Sequence, residues 1–308
     1  MNIPKTQKEF ESTFQTEGKC FQYLFDIKYD KGYYCSNCNS TNYWLIRNRY
    51  IRCKKCKEEI SLFSGSIFQN SNLSLMDLLR IIWWLVSLKN GVSAKSLAKL
   101  FGLSYKTSWI WLHKFRRCMV IPEREKLTGT VEVDEMYVGG KAKGKKGRGA
   151  DGKTIVAIAV EVQENGTGRT RLAVIPDASR KSLNKFLMEN IEKSSTIVTD
   201  AWNGYCDVTK MKYTHKIINQ TKVLDGNNLL PNVHRIASLV KRWLLGTHHS
   251  YLNKGNLEYY LDEFTFRYNR RKSKSRGKLF FTILYQALKH EPILNPSLTK
   301  NKDDNLHI

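Results

Sequence analysis

The chain has 308 residues, 41% of them hydrophobic, enough for a sizeable core and one or two smaller modules. Lys and Arg outnumber Asp and Glu by 51 to 28, a formal charge of +23 spread along the whole sequence rather than held in one tail. That surplus calls for a polyanionic partner, with nucleic acid first; a ribosome-associated or merely soluble basic protein is the blander alternative.

The N-terminal stretch MNIPKTQKEFESTFQTEG is polar and lacks the apolar segment of a signal peptide. The longest apolar run, LLRIIWWLVSL at 78–88, is too short to span a bilayer and contains Arg80. A soluble, intracellular protein with no membrane partner is expected. Its seven cysteines then read as metal ligands or buried thiols rather than disulfides.

In chain order, the first signal is YYCSNCNS followed by YIRCKKCKEE. Cys35, Cys38, Cys53 and Cys56 form two C-x2-C knuckles separated by fourteen residues. Each knuckle turns two thiolates toward one point, and two complete a tetrahedral zinc site. The gap is one residue below the usual ribbon range, which a tighter hairpin absorbs. Tyr43, Trp44, Ile46, Tyr50 and Ile51 suit its short strands. Cys20, Cys118 and Cys206 have no such pairing and read as buried or partly buried thiols.

A helical region follows over 74–118. Ser74 with Asp77 marks an N-cap, and a buried helix runs to about Asn90-Gly91. A short helix at 94–101, a turn at Phe101-Gly102-Leu103-Ser104 and a second helix at 105–117 make a helix-turn-helix pattern. The second helix is expected to carry Lys106, Thr107, Ser108 and Lys114 outward to DNA, with Trp109 and Leu112 packing inward. A plain three-helix packing unit is the alternative.

The largest module starts near Leu127. TVEVDEMYV reads as a strand, and the glycine- and lysine-rich loop at 139–153 offers Lys143, Lys145, Lys146 and Arg148 to a DNA backbone. TIVAIAVEVQ and RTRLAVIPDA are strands around a hairpin signal at Asn165-Gly166. SLNKFLMENI, 182–191, is an amphipathic helix, and STIVTD returns to strand, giving an α/β arrangement with a mixed sheet. If the first and fourth strands are neighbours, Asp134 and Asp200 approach each other. Two acids at close range call for a divalent cation, Mg²⁺ or Mn²⁺.

In NVHRIASLVKRWLL, 232–245, Asn232 can cap a helix whose apolar stripe is Ile236, Leu239, Val240, Trp243 and Leu244. His234 and Lys241 share the opposite face, so His234 reads either as a third metal ligand or as a structural histidine. Glu132 shares a strand face with Asp134 and is either an acid supporting the ligands from behind or part of a solvated edge; Glu135 points the other way.

VEVDEMYVGGK, VTDAWNGY, KRWLLGTHH and above all YLDEFTFRYNRR resemble the catalytic domain of zinc-ribbon insertion-sequence transposases. These are the DDE-type, ISXO-like enzymes of the insertion-sequence group numbered fifteen-ninety-five. The resemblance extends over nearly the whole chain. It implies a zinc ribbon (1–70), a helix-turn-helix DNA-binding region (71–120), an RNase H-like catalytic domain (127–290) and a polar tail (291–308). It implies binding of terminal inverted repeats, metal-dependent DNA cleavage and strand transfer, a homo-oligomer on DNA, and a cytoplasmic, nucleoid-associated location in a prokaryotic host.

By that match Asp134 and Asp200 take the two aspartate positions and Lys241 the lysine after the third ligand. The third position, usually glutamate or asparagine, is His234 here, as in a D-D-H subgroup. A non-catalytic DNA-binding protein, domesticated or regulatory, is the alternative this departure keeps open.

Overall fold

The computed structural model describes residues 3–47, 49–121, 123–139, 153–164, 166–218, 230–248, 252–294, 298 and 305–306. The expected backbone contacts of Lys143, Lys145, Lys146 and Arg148, and most of the polar tail, lie outside these residues. The chain divides into two compact units. One is Met1–Ile121 with Ser273–Leu298, and the other is Pro122–Lys272 with Thr299–Ile308. Among the described residues no helix is long and apolar enough to cross a membrane.

The first unit opens with two helices that the sequence reading passed over, α1 (Gln7–Thr13) and α2 (Glu17–Lys28). Thr6 and Thr16 start them, each hydroxyl accepting from the N–H three residues on. Strands β1 (Tyr43–Ile46), β2 (Tyr50–Cys53) and β3 (Glu59–Ser61) form an antiparallel sheet in that order.

Helix α3 (Leu75–Ser87) begins at the Ser74 cap as expected and ends before Asn90. Its first N–H groups, Leu75 and Met76, donate to the Glu17 carboxylate at 2.9 and 3.1 Å, so α2 fixes where α3 starts. Helix α4 (Ala94–Phe101) ends on Gly102 in the left-handed conformation, φ 63°, and α5 (Tyr105–Arg117) follows at once from its Ser104 cap.

The last helix, α9 (Arg276–Lys289), belongs to this unit and not to the later module, where the 127–290 boundary would put it. Its Phe280 ring meets Phe10, Phe14 and Trp83. Gly277 lies so close to Pro4 that a Cβ there would come within 2.0 Å of the Pro4 carbonyl oxygen.

The second unit is built on strands β4 (Thr130–Val138), β5 (Thr154–Gln163), β6 (Gly166–Ile175), β7 (Thr196–Asp200) and β8 (Thr214–Ile218). They lie in the order β6-β5-β4-β7-β8. The first three are antiparallel; β7 runs parallel to β4 and β8 to β7, so the sheet is mixed.

Both faces are covered, which is why β5 is apolar along most of its length. One core packs Met136, Ile158 and Val198 under α7 (Pro231–His248) and α8 (Leu257–Asn269). The other packs Val131, Val133 and Ile197 under α6 (Arg180–Asn190).

Edge strand β6 is closed by the end of α8. The Asn269 side chain accepts from the Thr170 N–H at 2.8 Å and donates to its carbonyl at 3.0 Å, in place of a further strand. Arg271 donates to the Thr167 and Gly168 carbonyls and stacks on Tyr268.

Candidate metal centres and candidate DNA contacts

In the ribbon, each knuckle is one tight turn. The Asn39 N–H donates to the Cys35 carbonyl and the Lys57 N–H to that of Cys53. Asn39 and Lys57, each just after a knuckle's second cysteine, are both left-handed, φ 56° and 63°. The four sulphur atoms lie within 4.8 Å of one another, with Cys35–Cys56 and Cys38–Cys53 at 3.5 Å. Tetrahedral Zn–S bonds of about 2.3 Å separate sulphurs by roughly 3.8 Å, so the set fits zinc with little adjustment.

The electrostatics agree. The Cys56 N–H, with that of Lys55, outweighs burial and brings the Cys53 thiol down to about 6. At Cys56 the Glu58 N–H lowers the pKa, but burial and the three neighbouring cysteines carry it up to about 12. Four thiols here do not all ionise without a cation. Of the other cysteines, Cys20 and Cys118 are buried as expected, whereas Cys206 is exposed.

In the second unit, strand alternation sends Glu132 and Asp134 to the α7 face of β4, and Glu135 to the other. Glu132 pairs with Val198 in the parallel β4–β7 ladder. Asp134 and Asp200 each lie two residues further along, so they share one face, Asp134 midway along β4 and Asp200 at the end of β7. Burial, and then the charge of Asp200, push the Asp134 carboxyl above its usual range, against the Glu135 N–H at 2.8 Å and His234, which lower it. Mutual repulsion of this kind is what a divalent cation relieves.

His234, in the first turn of α7, brings Nε2 to 3.3 Å from Asp134 Oδ2, and both side chains keep solvent access at 38% and 21% exposure. Among the described residues the cysteines form a tight cluster of three or more ligand atoms; Asp134, Asp200 and His234 are not drawn that close. Lys241 is exposed on α7, seven residues on and about 10 Å along the axis.

Glu132 is neither solvated edge nor spare acid. At 5% exposure, it accepts from the N–H groups of Asn232 and Val233 at 2.8 and 2.9 Å, and from Asn232 Nδ2 at 2.7 Å. The carboxylate therefore caps α7. Asn232 lies inside the helix, which begins at Pro231, and donates to this acid rather than capping the helix itself.

On the other face the buried Tyr205 hydroxyl donates to Glu135 at 2.6 Å. The turn after Asp200 is tight: Asp200 accepts from the Trp202 N–H at 3.0 Å, and a Cβ on Gly204 would meet Trp202 at 2.6 Å and Leu183 at 2.7 Å. That packing accounts for the small and aromatic residues of DAWNGY.

In α5, Lys106 is exposed, and the Thr107 hydroxyl pairs with the Ser104 cap at 2.8 Å. Ser108 and Lys114 are not on an outward face: both are buried. Ile110, Trp111, Leu112 and Phe115 are buried around them, so the helix has little free surface, and Lys114 lays its ammonium over the Trp111 ring.

Two family models match the chain: an ISXO2-like transposase domain over residues 126–269 and a transposase zinc-ribbon domain over residues 15–59. Together they take in more than half of it. The chain carries an ISXO2-like transposase domain and a transposase zinc-ribbon domain. All four cysteines fall inside the zinc-ribbon match, and their geometry fits a structural zinc site.

The chain is similar to an uncharacterized protein in transposable element ISH50 of Halobacterium salinarum, 25% identical over 298 residues, covering 90% of this chain and 98% of that protein. Among solved structures it is similar, at 14% identity, to a chain in the cryo-EM structure of the simian T-cell lymphotropic virus intasome in complex with PP2A regulatory subunit B56 gamma. That match covers 58% of this chain and 66% of the other, just under two thirds, with a TM-score of 0.27.

Proposed function

We propose that the protein is an insertion-sequence transposase that binds the terminal inverted repeats of its element, cuts the DNA there and joins the freed ends to a target. One observation carries this reading: Asp134 and Asp200 share one face of neighbouring parallel strands, with His234 at 3.3 Å from Asp134. The sheet order, with its antiparallel trio and two parallel strands, is read as an RNase H-like catalytic domain. The ribbon and the α4–α5 pair are read as a helix-turn-helix-containing DNA-binding region, and the active form as a homo-oligomer holding two ends, in the nucleoid of a prokaryotic host.

Asp134, Asp200 and His234 would hold Mg²⁺ or Mn²⁺, which supplies charge neutralisation at the phosphoryl oxygens and an activated water. His234 orients Asp134 through the 3.3 Å contact, and Glu132 fixes His234 by capping α7. Lys241 holds a non-bridging oxygen of the end phosphate. In cutting, water adds to phosphorus as the 3′ oxygen leaves; in joining, that 3′ hydroxyl adds to a target phosphorus as the target's own 3′ oxygen leaves. Imidazole suits Mg²⁺ less well than carboxylate does, so Mn²⁺ is the preferred ion.

The test is strand transfer on labelled transposon-end DNA with Mn²⁺, comparing wild type with Asp200→Ala and His234→Ala. Joined product lost in both variants supports the three-residue site. Loss in Asp200→Ala alone removes His234 from it. Binding without cutting by every version replaces the enzyme with a non-catalytic DNA-binding protein.

A further inference from the structure

The first unit holds a buried cation that the strand-transfer chemistry does not use. Lys114 is 7% exposed, and its ammonium lies 4.8 Å from the Trp111 ring centre. Among the described residues it has no hydrogen-bond acceptor and no carboxylate partner. Burial lowers its pKa, as expected of an ammonium that has given up water without gaining an anion.

Lys114 lines a groove of about 250 Å³. One wall is α5, through Thr107, Trp111 and Lys114; the other is the segment Asn70, Ser71 and Asn72. Arg49 donates to the Ser71 carbonyl at 2.6 Å and also to that of Leu73, which occupies those oxygens from the ribbon side. The Asn70 and Asn72 side chains supply amide donors to that wall. Asn70 is left-handed, φ 59°, and both asparagines are exposed. The same segment walls a second groove, of about 330 Å³, that Arg49, Tyr50 and Gln69 line.

We propose that the groove between residues 70–72 and α5 is a binding site for a DNA-backbone phosphodiester, with Lys114 as its cation and the Asn70 and Asn72 amides as its donors. The inference rests on the DNA-binding reading above and deepens it. The exposed Lys106, two turns nearer the start of α5, extends the positive surface toward the next phosphate. A site of this kind contacts backbone and not bases, so it sets register on the duplex without reading sequence.

The test is equilibrium binding of the full-length, zinc-loaded protein to labelled transposon-end duplex and to an unrelated duplex, without Mg²⁺ or Mn²⁺, from about 50 to 200 mM salt. Lys114→Met keeps the stem on Trp111 and removes the charge. It is expected to weaken binding to both duplexes about five- to tenfold and to reduce the slope of log K against log salt by about 0.9. Asn72→Asp, at an exposed position that leaves the core intact, puts a carboxylate on the groove that Lys114 lines and is expected to lower affinity and slope in the same way. Both variants binding within about twofold of wild type, at unchanged slope, overturn the site. A wild-type protein that binds neither duplex overturns the DNA-binding reading with it.

Discussion

Removing the Glu132 carboxylate is expected to damage the candidate catalytic site without touching any residue in it. Three donors converge on it: the N–H groups of Asn232 and Val233 and the Asn232 amide, all buried. Glu132→Ala strands all three, at about 1–3 kcal/mol each, and takes a negative charge from a helix N-terminus. Water entering the vacated space recovers part, so a net loss of about 3–4 kcal/mol is expected. Glu132→Gln keeps one oxygen for the backbone donors but turns an NH₂ against the Asn232 amide, and about 1–2 kcal/mol is expected. Urea denaturation measures both. The decisive assay is Mn²⁺-dependent strand transfer by Glu132→Gln at a temperature where it is fully folded. Because His234 follows Val233 directly, loosening the cap is expected to raise the Mn²⁺ concentration for half-maximal activity several-fold. Stability within about 0.5 kcal/mol of wild type and an unchanged Mn²⁺ requirement would refute the reasoning.

Asp134→Asn is expected to abolish strand transfer yet raise the melting temperature at neutral pH. The folded protein holds the Asp134 pKa above its unfolded value, so the charged carboxylate destabilises the fold above that pKa and ceases to as pH falls through it. Added Mn²⁺ should stabilise wild type and not the variant; a lower melting temperature for Asp134→Asn without metal would contradict this. Zinc content measured by metal analysis is expected to be one ion per chain, and Cys38→Ser should lose it and expose the ribbon to protease. At Glu161, burial raises the carboxyl, but Arg169 and the Thr128 N–H outweigh it and hold the pKa low. That stability is present above the unfolded value of about 4.3 and lost as pH falls through the lower folded value. Glu161→Gln should therefore cost about 1–2 kcal/mol at pH 7 and weaken the acid dependence of unfolding, read by denaturation from pH 7 to pH 3.

Local and periodic features were legible in the sequence. The C-x2-C spacing brought four sulphurs together, and the short gap was absorbed by a hairpin that turns on Arg47 at φ 52°. Asp134 and Asp200 could be placed on one face because strand alternation needs only the assumption that β4 and β7 are neighbours. What failed to read depended on shape across long separations. Nothing local says that an acid on β4 caps a helix 100 residues later, and the helical period that placed His234 opposite the apolar stripe gave no sign of it. Lys114 was misplaced because period assigns one inward face, whereas α5 is enclosed nearly all round. Strand β8 was missed because its sequence, THKII, is largely exposed and shows no clear alternation. Helix α9 has the same amphipathic pattern as a helix of the second unit would have; the contacts of Gly277 with Pro4 and of Phe280 with Phe10, Phe14 and Trp83 assign it to the first.

The most specific part of the family resemblance, YLDEFTFRYNRR, contributes no candidate ligand. Glu263 is fully buried against Arg267 at 2.8 Å, and Tyr268, Asn269 and Arg271 close the exposed edge of β6. The physical demand there is strict: an open edge strand must have its N–H and C=O groups paired, and an asparagine that bonds both groups of Thr170 does so in a way few residues can reproduce. The candidate ligands meet a looser demand, since a histidine, an asparagine or a carboxylate can each donate a lone pair to a cation. A signature set by framework geometry can thus remain intact while the third ligand changes to His234, and ion preference follows the ligands rather than the signature. The Mn²⁺ dependence of Glu132→Gln and His234→Ala bears on that question directly, because both act on the imidazole and leave the framework of α8 and β6 alone.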